Sequence, residues 1–224
     1  MRELEELTLF KPVLQKSELF SDIPTELYPD ALKFLSAQLK RYKKDEYILH
    51  IGQPFKYGLM LLQGAIEGSF ITENFDKINM AHFESGCLIG ESLACSQESS
   101  SPIQLRAMTD ITVLLLDFTV LYNTDHVKHS YQLKMSMNLI KILSRQNVFL
   151  SGRIRILGQR TIRDRILMYM KMLPKDENGF VKLPFTKTAF AEYLGVNRSA
   201  LSREMSNMIE DGIIESKEKK YRIN

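Results

Sequence analysis

The sequence predicts an α+β protein: an N-terminal antiparallel β-sandwich or roll, one long helix, and a small C-terminal helical domain closed by a β-hairpin. Three observations predict it. Short apolar runs between residues 42 and 117 are broken repeatedly by glycine. A sustained helical pattern follows from about residue 126. Beyond residue 185, two short amphipathic stretches meet at Gly195 and lead into an alternating, lysine-rich hairpin. The 224 residues suffice for one large core or two small ones, and a 44% hydrophobic, 25% charged composition excludes a disordered, collagenous or repetitive chain.

Residues 1–40 read as helical and polar. Leu19, Phe20 and Ile23 lie beside a Pro24-Thr25-Glu26-Leu27 helix start, and Ala31, Leu32, Leu35 and Leu39 follow at helical spacing. The runs 47–51, 57–62, 65–72, 78–83, 88–89, 103–108 and 111–116 have strand length. Glycines at 52, 58, 64, 68, 86 and 90 punctuate them, which is the texture of a sandwich or roll.

In the helical stretch, Ile140, Leu143, Asn147, Leu150, Ile154 and Leu157 recur in steps of 3 and 4. Such a seam needs a partner helix, and a polar Asn147 within it sets the register of two copies. Dimerisation is therefore assigned to Ile140, Leu143, Asn147, Leu150 and Ile154. Met135, Leu139, Ile142, Gln146 and Phe149 form a second stripe, expected to pack on the helix's own domain. The alternative, one core helix buried on both sides, does not require that rhythm. After Gly158, Thr161 is the N-cap of the next helix with Asp164 at N3, and Ile162, Ile166, Tyr169, Met170 and Leu173 line one face. Pro174 stops it, and 176–179 is a turn.

The C-terminal segment has helix-turn-helix spacing. Lys187 and Thr188 open a helix with Phe190, Ala191 and Leu194 facing inward, Gly195 supplies the positive φ of a tight turn, and Asn197 caps a second helix held by Leu201, Met205, Met208 and Ile209. Residues 212–223 read as a wing. A second helix of this kind enters the major groove by its N-terminal end. Arg198 and Arg203 suit guanine edges, and Asn197 and Ser199 suit bases or phosphates. Lys187, Thr188, Lys217, Lys219 and Lys220 suit the phosphate backbone. Charge agrees: residues 145–224 carry 16 Lys+Arg against 9 Asp+Glu, while residues 1–144 carry 14 against 18. A basic end on an acidic body fits a polyanionic partner.

In sequence the chain resembles the Crp/Fnr family of bacterial transcription regulators, the family of the cyclic-AMP receptor protein. The Leu19-Phe20 start, the glycine-spaced roll, Gly86-Cys87-Leu88-Ile89-Gly90-Glu91, the long helix and Gly195-Val196-Asn197-Arg198-Ser199-Ala200-Leu201-Ser202-Arg203 match in order. The resemblance implies a double-stranded β-helix of the cyclic-nucleotide-binding type as sensor over 1–125, a dimerisation helix over 126–158 and a winged helix-turn-helix over 159–224. It implies a homodimer on double-stranded DNA at an inverted repeat, with RNA polymerase a further candidate partner through a loop such as 174–179. Ser199 stands where the family usually has an acidic residue, which implies a different target sequence.

The resemblance also locates an effector pocket at Gly90, Glu91, Ser101, Pro102 and Arg106. In the cyclic-nucleotide cassette an Arg-Ser pair follows the Gly-Glu pair and neutralises the cyclic phosphate. Here Ser101 and Pro102 occupy those positions. A buried phosphate without a cation is expensive, and proline removes a donor. Cyclic-AMP control is therefore not expected. Arg106 is a candidate substitute only if its strand shifts register, and the effector is unidentified. The alternatives are an effector-independent DNA binder with a vestigial sensor, or a redox or haem sensor. His50, His82, Cys87 and Cys95 are the candidates for the last, and His126 with His129 for a metal pair, none in a diagnostic context. The methionines at 135, 137, 168, 170 and 172 read as packing residues. No cofactor, metal site or enzyme constellation is expected, since no Ser/His/Asp set, phosphate loop or metal triad occurs. No run reaches transmembrane length and no secretory pattern follows Met1, so a cytoplasmic protein without a membrane partner is expected.

Overall fold

The computed structural model describes residues 9–71, 77–96, 100–122, 129–218 and 220–224, with the backbone alone over 77–81. The chain divides into two compact units, Met1–Ser144 and Arg145–Asn224. The second coincides with the basic third of the sequence.

In the first unit, short helices α1 (Lys11–Lys16) and α2 (Tyr28–Phe34) precede eight strands. These are β1 (Gln38–Tyr42), β2 (Tyr47–Leu49), β3 (Gly58–Gln63), β4 (Ala65–Ile71), β5 (Lys77–Glu84), β6 (Leu88–Ile89), β7 (Gln104–Ala107) and β8 (Ile111–Leu116), with α3 (Glu91–Ser96) after β6. They form two four-stranded sheets, ordered β1-β8-β3-β6 and β2-β7-β4-β5, and every pairing is antiparallel. β3 and β8 read as unbroken apolar runs because both of their faces are covered. Leu59, Leu61 and Val113 meet Leu49, Ile66 and Leu105 of the second sheet. Met60, Leu62, Leu114 and Leu116 turn the other way, onto Leu14, Leu19, Phe20, Ala31, Leu32 and Leu35. Leu39 departs from the helical expectation. α2 ends at Phe34, Ser36 takes a positive φ of 47°, and Leu39 lies in β1 opposite Leu114. Spacings of 3 and 4 in a short apolar segment do not separate a helix from a helix followed by a strand.

The long helix α4 runs Ser130–Leu157. Its expected start at 126 lies outside the described residues, and so does His126. Tyr131, Met135 and Leu139 are buried in the first unit, where Asn138 Nδ2 donates to the carbonyls of Leu19 (3.1 Å) and Ser21 (2.9 Å). Ile156 is fully buried in the second. The boundary at 144 and 145 thus falls inside the helix, because each end is anchored in a different core. Within the first unit Ile140 is 62% exposed, and Leu133 and Met137 extend its face backward in steps of 4 and 3; both are exposed, so Met137 does not act as core packing. Leu143 is half-buried against the core of its own unit. Within the second unit Asn147, Val148, Leu150 and Ile154 are exposed, Ile154 at 70%. Phe149, expected on the buried stripe, is 55% exposed and touches Tyr193 at 6.0 Å between ring centroids.

The second unit continues with α5 (Ile162–Met172), β9 (Val181–Lys182), α6 (Lys187–Leu194), α7 (Arg198–Glu210), β10 (Ile214–Lys217) and β11 (Lys220–Ile223). Thr161 caps α5 as expected: its Oγ1 accepts the Asp164 N–H at 3.0 Å. Three helices cover one face of an antiparallel sheet ordered β10-β11-β9. The buried Tyr169 and Phe190 meet the half-buried Phe185 and Tyr193 in tilted and edge-on ring contacts, with Tyr169–Phe190 centroids 5.1 Å apart. Burial there pushes the Tyr169 phenol up to about 12, so it stays neutral at working pH. Met170 is buried as expected, whereas Met172 is exposed.

Candidate nucleic-acid interface

Two short helices and a glycine elbow build the site. Thr186 caps α6, its Oγ1 accepting the Ala189 N–H at 3.2 Å. α6 stops because Gly195 adopts φ +65°, where its N–H reaches back to the Glu192 carbonyl at 3.1 Å. A β-carbon-bearing residue would be strained there. Asn197 then occupies the N-cap position of α7 in extended backbone, but its side chain makes no cap hydrogen bond and is exposed. Contrary to the expectation from sequence, that amide does not cap α7 but faces solvent.

Leu201, Met205 and Met208 of α7 are buried. Helical periodicity turns Ser199 and Arg203 away from that buried face, while Arg198, three residues before Leu201, stands at the first position of the helix; all three are exposed. Ser206 and Asn207 continue the same exposed face, which the sequence pattern did not assign. Ile209, expected to hold the helix down, is 42% exposed. Its place is one step beyond the buried Met208, where the apolar face has already turned away from the core. Lys187 and Thr188 lie in the first turn of α6 and are exposed.

Two arginines of α5 fix the motif, and neither stands out in the sequence. Arg163 donates to Glu204 at 2.6 Å and reaches Asp211 at 2.9 Å, so one guanidinium spans two turns of α7. Arg165 donates to the Leu194 carbonyl at 3.0 Å and the Gln159 carbonyl at 3.2 Å, which satisfies a helix-end acceptor beside the elbow. No local pattern announces either pairing, since the partners lie 41 and 29 residues away.

The wing is β10 and β11, with Glu218 at φ +50° in the turn. Lys219 lies outside the described residues. Lys217 and Lys220 face each other across the hairpin, and Lys220 also faces Lys182 of β9. Lys220 is bound to Asp176 at 2.8 Å, and Arg222 to Glu215, with the Arg222 guanidinium 4.9 Å over the Phe180 ring. Together they line an open recess of about 400 Å³ on the outer face of the sheet.

In the first unit, Gly90 sits at φ +74° against the ring of Phe55, and a β-carbon there would come within 2.4 Å of it. Glu91 and Ser101 are both 2% exposed. Ser101 Oγ donates to the Ile103 carbonyl at 2.8 Å, and its backbone bonds both Gly52 and Gln53. Pro102 is exposed. The β4–β7 register puts Arg106 opposite Glu67, on the face away from Leu105 and Ala107, which line the interior. Arg106 lies 3.4 Å from Glu67 and 3.5 Å from Asp45, so the register shift that would aim it inward does not occur. Of the expected pocket, Glu91 and Ser101 are thus buried and Gly90 half-buried, while Pro102 is exposed and Arg106 lies on the opposite face.

Cys87 is exposed and Cys95 half-buried, both with free thiols; burial and then the nearby Glu91 charge push the Cys95 thiol up. His50, His82 and His129 are exposed. Among the described residues no three His, Cys, Asp or Glu side chains form a metal-binding group, and no helix is long and apolar enough to cross a membrane.

Known proteins decide the family. Residues 164–224 match the Crp-like helix-turn-helix domain, and residues 39–124 match the cyclic nucleotide-binding domain. The chain belongs to the Crp/Fnr family. Crp/Fnr proteins are DNA-binding transcription regulators with a sensor domain, and not enzymes. Solved structures share the fold. The Thermus thermophilus catabolite activator protein is 16% identical, with 93% of this chain and 94% of that one covered and a TM-score of 0.51. The c-di-GMP-responsive regulator CLP of Xanthomonas campestris is 16% identical, with 87% and 98% covered and a TM-score of 0.53. The sensor domain of the regulator DNR from Pseudomonas aeruginosa is 16% identical over 70% of this chain and 99% of that one, at 0.53. No curated protein sequence matches the chain.

Proposed function

We propose that this regulator works as a cytoplasmic homodimer on an inverted-repeat DNA site, and that cyclic AMP does not control it. One observation carries the DNA reading: α7 buries Leu201, Met205 and Met208 and holds Arg198, Ser199 and Arg203 in solvent at its N-terminal end. The exposed apolar residues of α4, Ile140 and Ile154 foremost, support pairing of two chains. Two-fold symmetry then presents two copies of α7 about one helical turn apart. Selection from a pool of randomised duplexes is expected to return an inverted repeat with half-sites about 10 bp between centres. Recovery of single, unpaired half-sites would overturn the dimeric reading.

The effector reading rests on Ser101. The position that needs a cation holds a buried hydroxyl already bonded to its own loop, and the nearby guanidinium of Arg106 lies on the opposite face beside two carboxylates. Bringing a cyclic phosphate into that interior would leave its charge uncompensated. Calorimetric titration with cyclic AMP and cyclic GMP is expected to show no sub-micromolar binding, and a saturable sub-micromolar isotherm would refute it. The same observation favours a second reading, in which the roll is a scaffold and the protein without effector binds its site at full affinity.

A further inference from the structure

The outer face of the wing sheet carries a row of like charges that strand pairing creates. Lys182 lies opposite Lys220, and Lys220 opposite Lys217, in an antiparallel sheet. Residues directly opposite share a face, so the three ammonium groups stand side by side across β9, β11 and β10. Of the alternate row, Val181 is buried against the helices and Tyr221 half-buried there, while Ser216, nearer the hairpin turn, is exposed. Like charges in such a row destabilise the sheet unless an anion answers them. Asp176 supplies one carboxylate: its Oδ2 takes Lys220 at 2.8 Å, while its Oδ1 accepts the N–H groups of Asn178 (3.1 Å) and Phe180 (2.9 Å). The other carboxylates at this face are Glu215, already paired with Arg222, and Glu218 in the turn. Lys182 and Lys217 are exposed.

We infer that Lys182, Lys220 and Lys217 form a rail for the phosphates of duplex DNA, and that Asp176 is a built-in counterion that the DNA backbone displaces from Lys220. The inference rests on the DNA-binding reading and adds two residues to it, Lys182 as a contact and Asp176 as a restraint on affinity. The chemistry is that of any phosphodiester, so the rail contributes affinity without base preference. Each ammonium that replaces a condensed cation adds about 0.9 to the slope of log affinity against log salt, or roughly 3-fold to 4-fold in affinity between 50 and 200 mM salt.

Salt titrations of the full chain on a fluorescent random-sequence duplex test this directly. Lys182→Gln is expected to make the slope shallower by about 0.9, with Lys182→Arg restoring it. Asp176→Asn keeps an oxygen for the Asn178 and Phe180 N–H groups while removing the charge, and it is expected to bind several-fold tighter than the parent. In a Lys220→Gln background the same change is expected to do nothing. A Lys182→Gln slope equal to the parent's overturns the rail, and an Asp176→Asn affinity equal to or below the parent's overturns the counterion. Tightening by Asp176→Asn in the absence of Lys220 also overturns it, since the effect would then be diffuse. A parent that fails to bind duplex at low salt defeats the DNA reading itself, an outcome distinct from the other three.

Discussion

Replacing Ile154 by glutamate is expected to turn the protein into a monomer that still folds but loses its inverted-repeat site. Ile154 is 70% exposed, so the change removes nothing from the core of its unit. In a paired helix it places two carboxylates against each other in an apolar seam, where neither can be solvated or compensated. The consequence for DNA is larger than the interface itself. Two linked reading heads bind a two-part site with an advantage of about 10²–10⁴ over one, and separation of the subunits forfeits it. Sedimentation equilibrium reads the mass and a gel-shift titration reads the affinity. Leu133→Glu, at the exposed start of the same helix, serves as the second arm. A dimeric Ile154→Glu protein with parental affinity would show that α4 is not the interface.

Arg198→Ala and Arg203→Ala are each expected to cost about 1–3 kcal/mol in specific binding, and each to relax selectivity at one base position. Both side chains are exposed, Arg203 on the face of α7 opposite Leu201 and Met205 and Arg198 at the first position of the helix, so truncation leaves the fold untouched. A guanidinium lost from a guanine edge removes two charge-assisted hydrogen bonds and leaves the base's acceptors unpaired. The loss therefore falls on the specific site and largely spares random duplex. Wing lysines behave oppositely, weakening both alike, so the ratio of specific to random affinity separates the two classes. Variants at both arginines that select the parental sequence would disprove their assignment as base readers.

Much of this architecture is local in origin, and so was legible in the chain. The Gly195 elbow, the Thr161 cap and the buried positions of α7 each depend on residues within a few places of one another, through φ sterics, capping and a 3.6-residue period. The β-roll was legible as a texture of glycine-spaced runs, yet not in its strand order. Leu39 shows the limit, since the same spacing that suits a helix placed it in β1. Of the missed parts of the site, Ser206 and Asn207 follow from that same helical period, whereas the arginine contacts that fix the motif are non-local. Arg163 meets Glu204 and Arg165 meets Leu194 because three helices converge.

What the sequence determined alone is therefore the order of the parts: an antiparallel roll, a long helix, and a helix pair whose second member begins at Arg198 and turns Arg203 away from Leu201 and Met205. What the tertiary structure decided is which distant charges meet. Register set Arg106 beside Glu67 rather than in the roll's interior, and lined Lys182 up with Lys220 and Lys217. The reason is physical: a helix period or a turn is a property of neighbouring dihedrals, whereas a cross-strand neighbour exists only once two segments some forty residues apart have closed a sheet.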